Sequence, residues 1–405
     1  MNKLKYDFTT VLDRHGKDSR AWDGPGRDPK VPGAPKGGFD LIPMWVADMN
    51  FPCYPGIITA MTERIAHPCF GYFPLADRYF NAVMDWQRDR NGVTDLSAKD
   101  IGYENGVLGG VVSALSVLCS RGDTVLVHSP TYVGFTAILE NNGYHVIHSE
   151  LRKDETGIWR MDYEDMEKKI RENNIHVLIF CSPHNPLGRV WERGEILQTV
   201  ELCQKYDITI ISDEIWSDII TKGFRHIPTQ SVSDYARENT VALYAPTKTF
   251  NVAGLVGSYH IIYNRRLRER ILKESSLSHY NSVNVLSMHA LIGAYTTEGQ
   301  EWVDELRSVI TENIDYSVNY IREHFQGVSV TRPEGTYMLF PDCAQWLQEH
   351  DCTLDELEKA AWDVGVAFQD GRRFFGKTNV RINLASPKSR IEEAFQRLDR
   401  YIFHA

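Results

Sequence analysis

Three polar side chains, Asn185, Asp213 and Lys248, stand at the ends of three successive apolar runs and together could carry amine chemistry. HVLIFC (176–181) leads into SPHNPLG, which holds Asn185 between two prolines; ITIISD (208–213) ends in Asp213; VALYA (241–245) is stopped by Pro246 ahead of a polar turn holding Lys248 between two threonines. A lysine amine condenses with an aldehyde and acts as a base once its pKa falls. An aspartate paired with a pyridine nitrogen keeps that nitrogen protonated and makes the ring an electron sink. An asparagine can donate to the ring's phenolic oxygen. The set fits pyridoxal 5'-phosphate (PLP), with Lys248 as the Schiff-base amine. Tyr132, in SPTYVGF, offers a ring to stack on the pyridine, and Arg381, in NVRINLAS, offers a bidentate fork for a substrate α-carboxylate. Each has a plainer reading alone: a solvated lysine, a helix-capping aspartate, a turn asparagine, a core tyrosine, half of an ion pair. Their order along successive strand ends favours the joint reading, because open α/β sheets place ligand chemistry at the carboxyl edge of the strands.

The elements that must position these residues follow from the hydrophobic pattern. Runs at 123–128, 144–149, 176–181, 208–213, 241–245 and 256–263 read as strands, most of them continuously apolar, as in a sheet covered on both faces. Helical segments such as 161–173 and 192–206 lie between them, the alternation of a doubly wound, mostly parallel α/β domain. ENGVLGGVVSALSVLCS (104–120) reads as a glycine turn opening a buried helix. The free N–H groups around Gly106, Val107 and Leu108 would suit a phosphate, although plain packing explains the stretch as well. From about 284 the alternation stops. A helical region (285–325) precedes strands VSVTRP and TYMLFP, and TLDE (353–356) and SRIE (389–392) fit capping boxes. The expected division is an N-terminal arm at 1–50 packing with the small domain, a large PLP-binding domain at 51–284, and a small α+β domain at 285–405. Residues 13–40 are rich in Gly, Pro and charge, with too little apolar content to pack alone.

Composition narrows the class. A length of 405 residues suits two domains, and 42% apolar with 24% charged residues is ordinary for a globular protein. The net charge of −10 argues against nucleic acid or an anionic membrane as partner. The seven cysteines have no C-x-x-C pair and no metal-like spacing with histidine, so they are expected to be reduced thiols, with no metal site. No run is long enough to span a membrane and the N-terminus has no signal-like apolar region, which together suggest a cytoplasmic protein.

Taken in order, Tyr132, SPHNPLG, ISDEIW, TKTFNVAG and VRINLAS resemble the fold-type I PLP-dependent enzymes, and most of all the MalY/PatB type of cystathionine β-lyases, or C–S lyases. The similarity runs from WVADMNFP (45–52) to the C-terminus, with NPLGRVW, KTFNVAGL and FGYF as its more specific elements. It implies a Lys248–PLP linkage, cofactor contacts from Asp213, Asn185 and Tyr132, and Arg381 on the substrate carboxylate. It also implies a homodimer in which Tyr72 reaches the neighbouring subunit's phosphate. The chain departs from the pattern at Ala245, where a phosphate-binding serine is usual and Thr247 could substitute. It also departs at Val256, Trp216 and Asn50, where aminotransferases or relatives carry a basic residue, a tyrosine and an aspartate. The expected activity is elimination on L-cystathionine or a related cysteine S-conjugate, giving a thiol, pyruvate and ammonia, with Lys248 as base and Tyr132 assisting. The alternatives are an aminotransferase, which differs after the shared carbanion, and a PLP-fold protein with a mainly regulatory binding role.

Overall fold

The computed structural model describes residues 4–27, 31–276 and 280–404. Its centre is a seven-stranded sheet made of β1 (Ile101–Asn105), β2 (Thr124–Ser129), β3 (His145–Glu150), β4 (Val177–Cys181), β5 (Thr209–Asp213), β6 (Thr240–Tyr244) and β7 (Gly257–Ile261). The spatial order is β1-β7-β6-β5-β4-β2-β3. All neighbours pair in parallel except β7, which runs antiparallel to both β1 and β6. Alternation along the strands sorts the side chains onto two faces. Val125, Val127, Ile179, Ile211 and Leu243 pack under the helix Val107–Leu118, while Leu126, Leu178, Phe180 and Ile210 pack under helices Tyr163–Asn173 and Arg193–Lys205. Full burial of each such side chain contributes about 1.5–3 kcal/mol, so the strand ends stand on a stiff base.

A third core joins Phe8, Ile42, Met44 and Met49 to the C-terminal part and also to residues from the middle of the chain, among them Trp86, Trp216, Tyr244 and Phe250. Helix Thr297–His324 buries Trp302, Val303, Leu306, Ile310 and Ile314 against residues that include Phe8, Met49 and Phe51. Residues Ile42–Pro43 pair in parallel with Val366–Ala367. Asp40 receives Arg390, 2.6 Å away, and Arg397. A three-stranded sheet, 338–339, 380–383 and 369–370, carries Arg381 on its middle strand.

Several expectations need correction. The helical region 285–325 is as expected but holds two helices, Val285–Ala294 and Thr297–His324, because Thr296 caps a fresh start by accepting from the Gly299 N–H. VSVTRP forms only an isolated bridge at Ser329. TLDE is a true capping box at Thr353, but the helix carrying SRIE opens earlier, at Lys388 behind Pro387, so Ser389 lies inside its first turn. Strand β1 was not foreseen. The Pro/Gly-rich arm, expected not to pack alone, holds among its described residues a short helix, Arg20–Asp23, whose buried Ala21 accepts from Trp45 Nε1 at 3.2 Å on its carbonyl.

Candidate active site

Strands β4, β5 and β6 end side by side, and their register places Cys181 opposite Asp213 and Asp213 opposite Leu243. The chain beyond these ends forms the floor of a cavity of about 260 Å³ lined by Lys248, Asp213, Asn185, Tyr132, Thr247 and the 106–108 helix start. Ala47, Trp216 and Val256 close the remaining sides. The sequence-derived residues other than Tyr72 and Arg381 thus line one space, and Arg381 borders it through Asn185.

Lys248 sits in a short helical turn, Pro246–Thr249, rather than in an open turn, since Pro246 suits the first helical position. Its Nζ donates to the Ala47 carbonyl at 2.7 Å and lies 5.8 Å from the Trp216 ring centre. Burial, reinforced by the Arg381 charge, brings its pKa down to about 8. Asp213 is buried, its Oδ1 accepting from the Ile215 N–H at 3.1 Å, and burial pushes its carboxyl up to about 7. A cationic group in the cavity would favour its ionised form.

Asn185 receives an Arg381 N–H on Oδ1 at 3.4 Å, which leaves its amide N–H groups for the cavity. Arg381 is 4% exposed and lies over the Phe374 ring at 4.2 Å. It donates to the Trp45 carbonyl at 3.0 Å and to Gln369 Oε1 at 2.6 Å, while its Nε has no partner. No carboxylate faces it among the described residues, and burial lowers its pKa to about 10. A buried guanidinium with a spare donor and no counter-ion suits an anionic group that arrives from outside.

Tyr132 opens the helix Val133–Asn141, its ring edge-on to Phe135, and burial raises its hydroxyl pKa. Gly106, at φ +76°, turns the chain from β1 into the helix Val107–Leu118, whose first N–H groups have no acceptor within the helix. Tyr72 is fully exposed and does not line this chain's own cavity. An aldehyde-bearing pyridine with a phosphate fits this donor set: an amine, a carboxylate, an amide and a helix start around one space, with an uncompensated guanidinium beside it.

Residues that pattern reading missed hold the site from behind. Glu214, fully buried, accepts from Ser212 Oγ at 2.9 Å and the Thr229 N–H at 3.1 Å, and bonds His226 Nε2 at 2.6 Å and Tyr244 Oη at 2.5 Å, pinning the chain next to Asp213. Asp218 takes Thr249 Oγ1 at 2.9 Å and Trp86 Nε1 at 3.2 Å, fixing the lysine turn. Both lie within the DEIWSD run, whose density of acids was the available signal. Asn251 donates to the Met49 and Phe51 carbonyls at 3.0 and 2.9 Å, joining the lysine loop to the segment 45–51.

Comparison with known proteins gives the family and the fold. The family model described as aminotransferase class I and II matches residues 42–398. The cystathionine beta-lyase PatB of Bacillus subtilis is 31% identical over 94% of this chain and 96% of its own, and the protein MalY of Escherichia coli is 29% identical over 96% of each. The structure of cystalysin from Treponema denticola, which contains a pyridoxal 5'-phosphate cofactor, superposes with a TM-score of 0.89 at 30% identity, covering 98% of this chain and 99% of that one.

Proposed function

This chain belongs to the aminotransferase class I and II family, and on that premise we propose that it is a PLP-dependent carbon–sulfur β-lyase. Its substrate is L-cystathionine or a related cysteine S-conjugate. The observation that carries the reading is the meeting of Lys248, Asp213 and Asn185 on one cavity beside the uncompensated Arg381. When bound, PLP supplies an aldehyde that captures the substrate amine and a ring that draws off the electron pair left at Cα.

The chain's residues do the rest. Val107, Leu108 and Thr247 would hold the phosphate, Asp213 would keep the ring nitrogen protonated, Asn185 would donate to the ring oxygen, and Tyr132 would offer its ring to the pyridine. Arg381 grips the α-carboxylate and so fixes which Cα bond is presented. Lys248 takes the Cα proton. With a pKa near 8, about a tenth of its amines are neutral at pH 7, against about 0.03% for an ordinary lysine. Loss of that proton lets the Cβ–S bond break. The sulfur leaves as a thiol, with Tyr132 assisting the proton transfer, and the enamine hydrolyses to pyruvate and ammonia. Trp216 supports elimination over transamination, because it puts an indole where aminotransferases keep a hydroxyl on the cofactor oxygen.

We assign 1–50 as an arm on the small domain, 51–284 as the large domain and 285–405 as the small domain, a division supported by the pairing of Ile42–Pro43 with Val366–Ala367. A homodimer is supported by the exposure of Phe70 and Tyr72, with Tyr72 serving the partner's phosphate. Seven unpaired cysteines support a cytoplasmic setting; among the described residues no helix is long and apolar enough to cross a membrane. The test is to supply L-cystathionine to the purified protein and measure pyruvate and free thiol. Both are expected in equal amounts, and Lys248→Ala should abolish them. A requirement for a 2-oxo acid, with amino transfer in place of pyruvate release, would move the assignment to an aminotransferase.

A further inference from the structure

The segment Trp45–Phe51 lies across the site, tied down on both sides. Arg381 holds the Trp45 carbonyl at 3.0 Å, Asn383 Nδ2 holds the Val46 and Asp48 carbonyls at 2.6 Å each, and Asn251 holds Met49 and Phe51. The Ala47 carbonyl is left pointing at the site, where it accepts from Lys248 Nζ at 2.7 Å and from Tyr337 Oη at 3.1 Å. One residue further on, Asp48 pairs with Arg14 of the arm, Nη2 to Oδ2 at 2.6 Å, and that guanidinium also reaches the Met49 carbonyl at 2.9 Å and Asn50 Oδ1 at 3.3 Å. Trp22 Nε1, also in the arm, donates to the same Asn50 oxygen at 3.2 Å. The arm therefore closes on the one carboxylate of the segment that seats the amine.

We propose that the Ala47 carbonyl is the seat of the Lys248 amine whenever that amine is free, and that Arg14 is a positioning residue for it. By pairing with Asp48, Arg14 keeps an unbalanced negative charge away from the lysine. This rests on Lys248 being the proton-transferring base. Among the described residues, the charged groups acting on Lys248 are Arg381, Asp48 and Asp213, while Tyr132 and Cys181 line the same cavity and Tyr337 shares the Ala47 carbonyl. Burial and Arg381 lower its pKa while Asp48 and Asp213 raise it. Releasing Asp48 from its pair strengthens one of the two raising influences, and the amine is then protonated to higher pH. The arm thus sets the fraction of base available near neutrality.

The test reads the lysine itself. In the full-length chain freed of cofactor by dialysis against a carbonyl scavenger, reductive methylation of Lys248 is followed by mass spectrometry as a function of pH. Arg14→Gln is expected to move the labelling midpoint up by about 0.5–1 unit, Asp48→Asn to move it down, and Arg14→Lys, which keeps the charge, to leave it near the parent value. The loaded Arg14→Gln enzyme should show the same upward shift in its pH–kcat profile with little change in KM. An unmoved midpoint in a folded Arg14→Gln protein overturns the proposal. Should that variant fail to fold, Asp48→Asn decides alone: a lowered midpoint supports it and an unchanged one overturns it. Labelling does not depend on which bond the enzyme breaks, so a failure of the lyase assignment would show separately, in the product assay.

Discussion

At the scale of single residues, the site works by keeping charges short of partners. Arg381 is buried with an unpaired Nε and no facing carboxylate among the described residues, a costly arrangement unless a ligand completes it. Its neighbours are neutral acceptors, Asn185, Gln369 and the Trp45 carbonyl, which orient the guanidinium without neutralising it. The shape of the fork should then matter more than the charge. Arg381→Lys, which keeps the charge and loses the two parallel donors, is expected to raise KM for L-cystathionine by about 10- to 100-fold with a smaller effect on kcat. Steady-state kinetics decide it, and an unchanged KM would mean that the carboxylate binds elsewhere.

At the scale of elements, the loop after β4 depends on a backbone that only glycine supplies. Gly188 has φ +67°, and a Cβ there would stand 2.4 Å from the Pro333 Cβ and 2.7 Å from the Gly335 carbonyl oxygen. Its own carbonyl accepts from the Glu334 and Gly335 N–H groups at 2.8 and 2.9 Å, and Glu334 reaches back to the buried Arg189. Gly188→Ala should therefore push apart the loop carrying Asn185 and the 333–335 segment. It should lower the unfolding midpoint by a few degrees and weaken PLP retention, corresponding to about 1–3 kcal/mol of backbone strain. Thermal melts and cofactor titration measure both, and a variant unchanged in each would refute the role.

The sequence announced the loop but not its anchor, and the contrast is general here. Strand ends carrying Asn185, Asp213 and Lys248 could be read because buried parallel strands leave continuous apolar runs with abrupt polar stops. Strand β1, IGYEN, left no such run: it is five residues with a glycine and a glutamate, and buried Glu104 is met by His260, across the β1–β7 pairing, at 2.7 Å, by Ser113 Oγ at 3.0 Å and by Asn281 Nδ2 at 2.8 Å. The Ala47 seat was invisible for a different reason, since a backbone carbonyl has no residue-type signature. Ser389 looked like a cap by spacing, but the helix had already begun at the residue after Pro387.

At the scale of the whole molecule, the cavity is well built yet lacks one expected contributor. Tyr72 projects fully into solvent, flanked by the exposed Phe70, Ile65 and Ile58, and its hydroxyl has no task within its own chain's site. Exposed aromatic and aliphatic side chains gathered on one stretch are what a twofold interface buries, and such an interface is reciprocal: each chain lends the same residue to the other. The consequence can be read by mixing two variants. Lys248→Ala has no base of its own but an intact Tyr72, while Tyr72→Ala has the base and lacks the tyrosine. Unfolded together in equal amounts and refolded, they should, if the chain pairs as proposed, form hybrids in half of the dimers, each with one site holding both native residues. About a quarter of the sites should then be native, recovering roughly that share of wild-type turnover from two poorly active parents. A tyrosine serving its own chain would give no recovery beyond the mean of the parents, because no site in the hybrid would hold both residues. The ratio thus separates a shared site from a private one without reference to which thiol leaves.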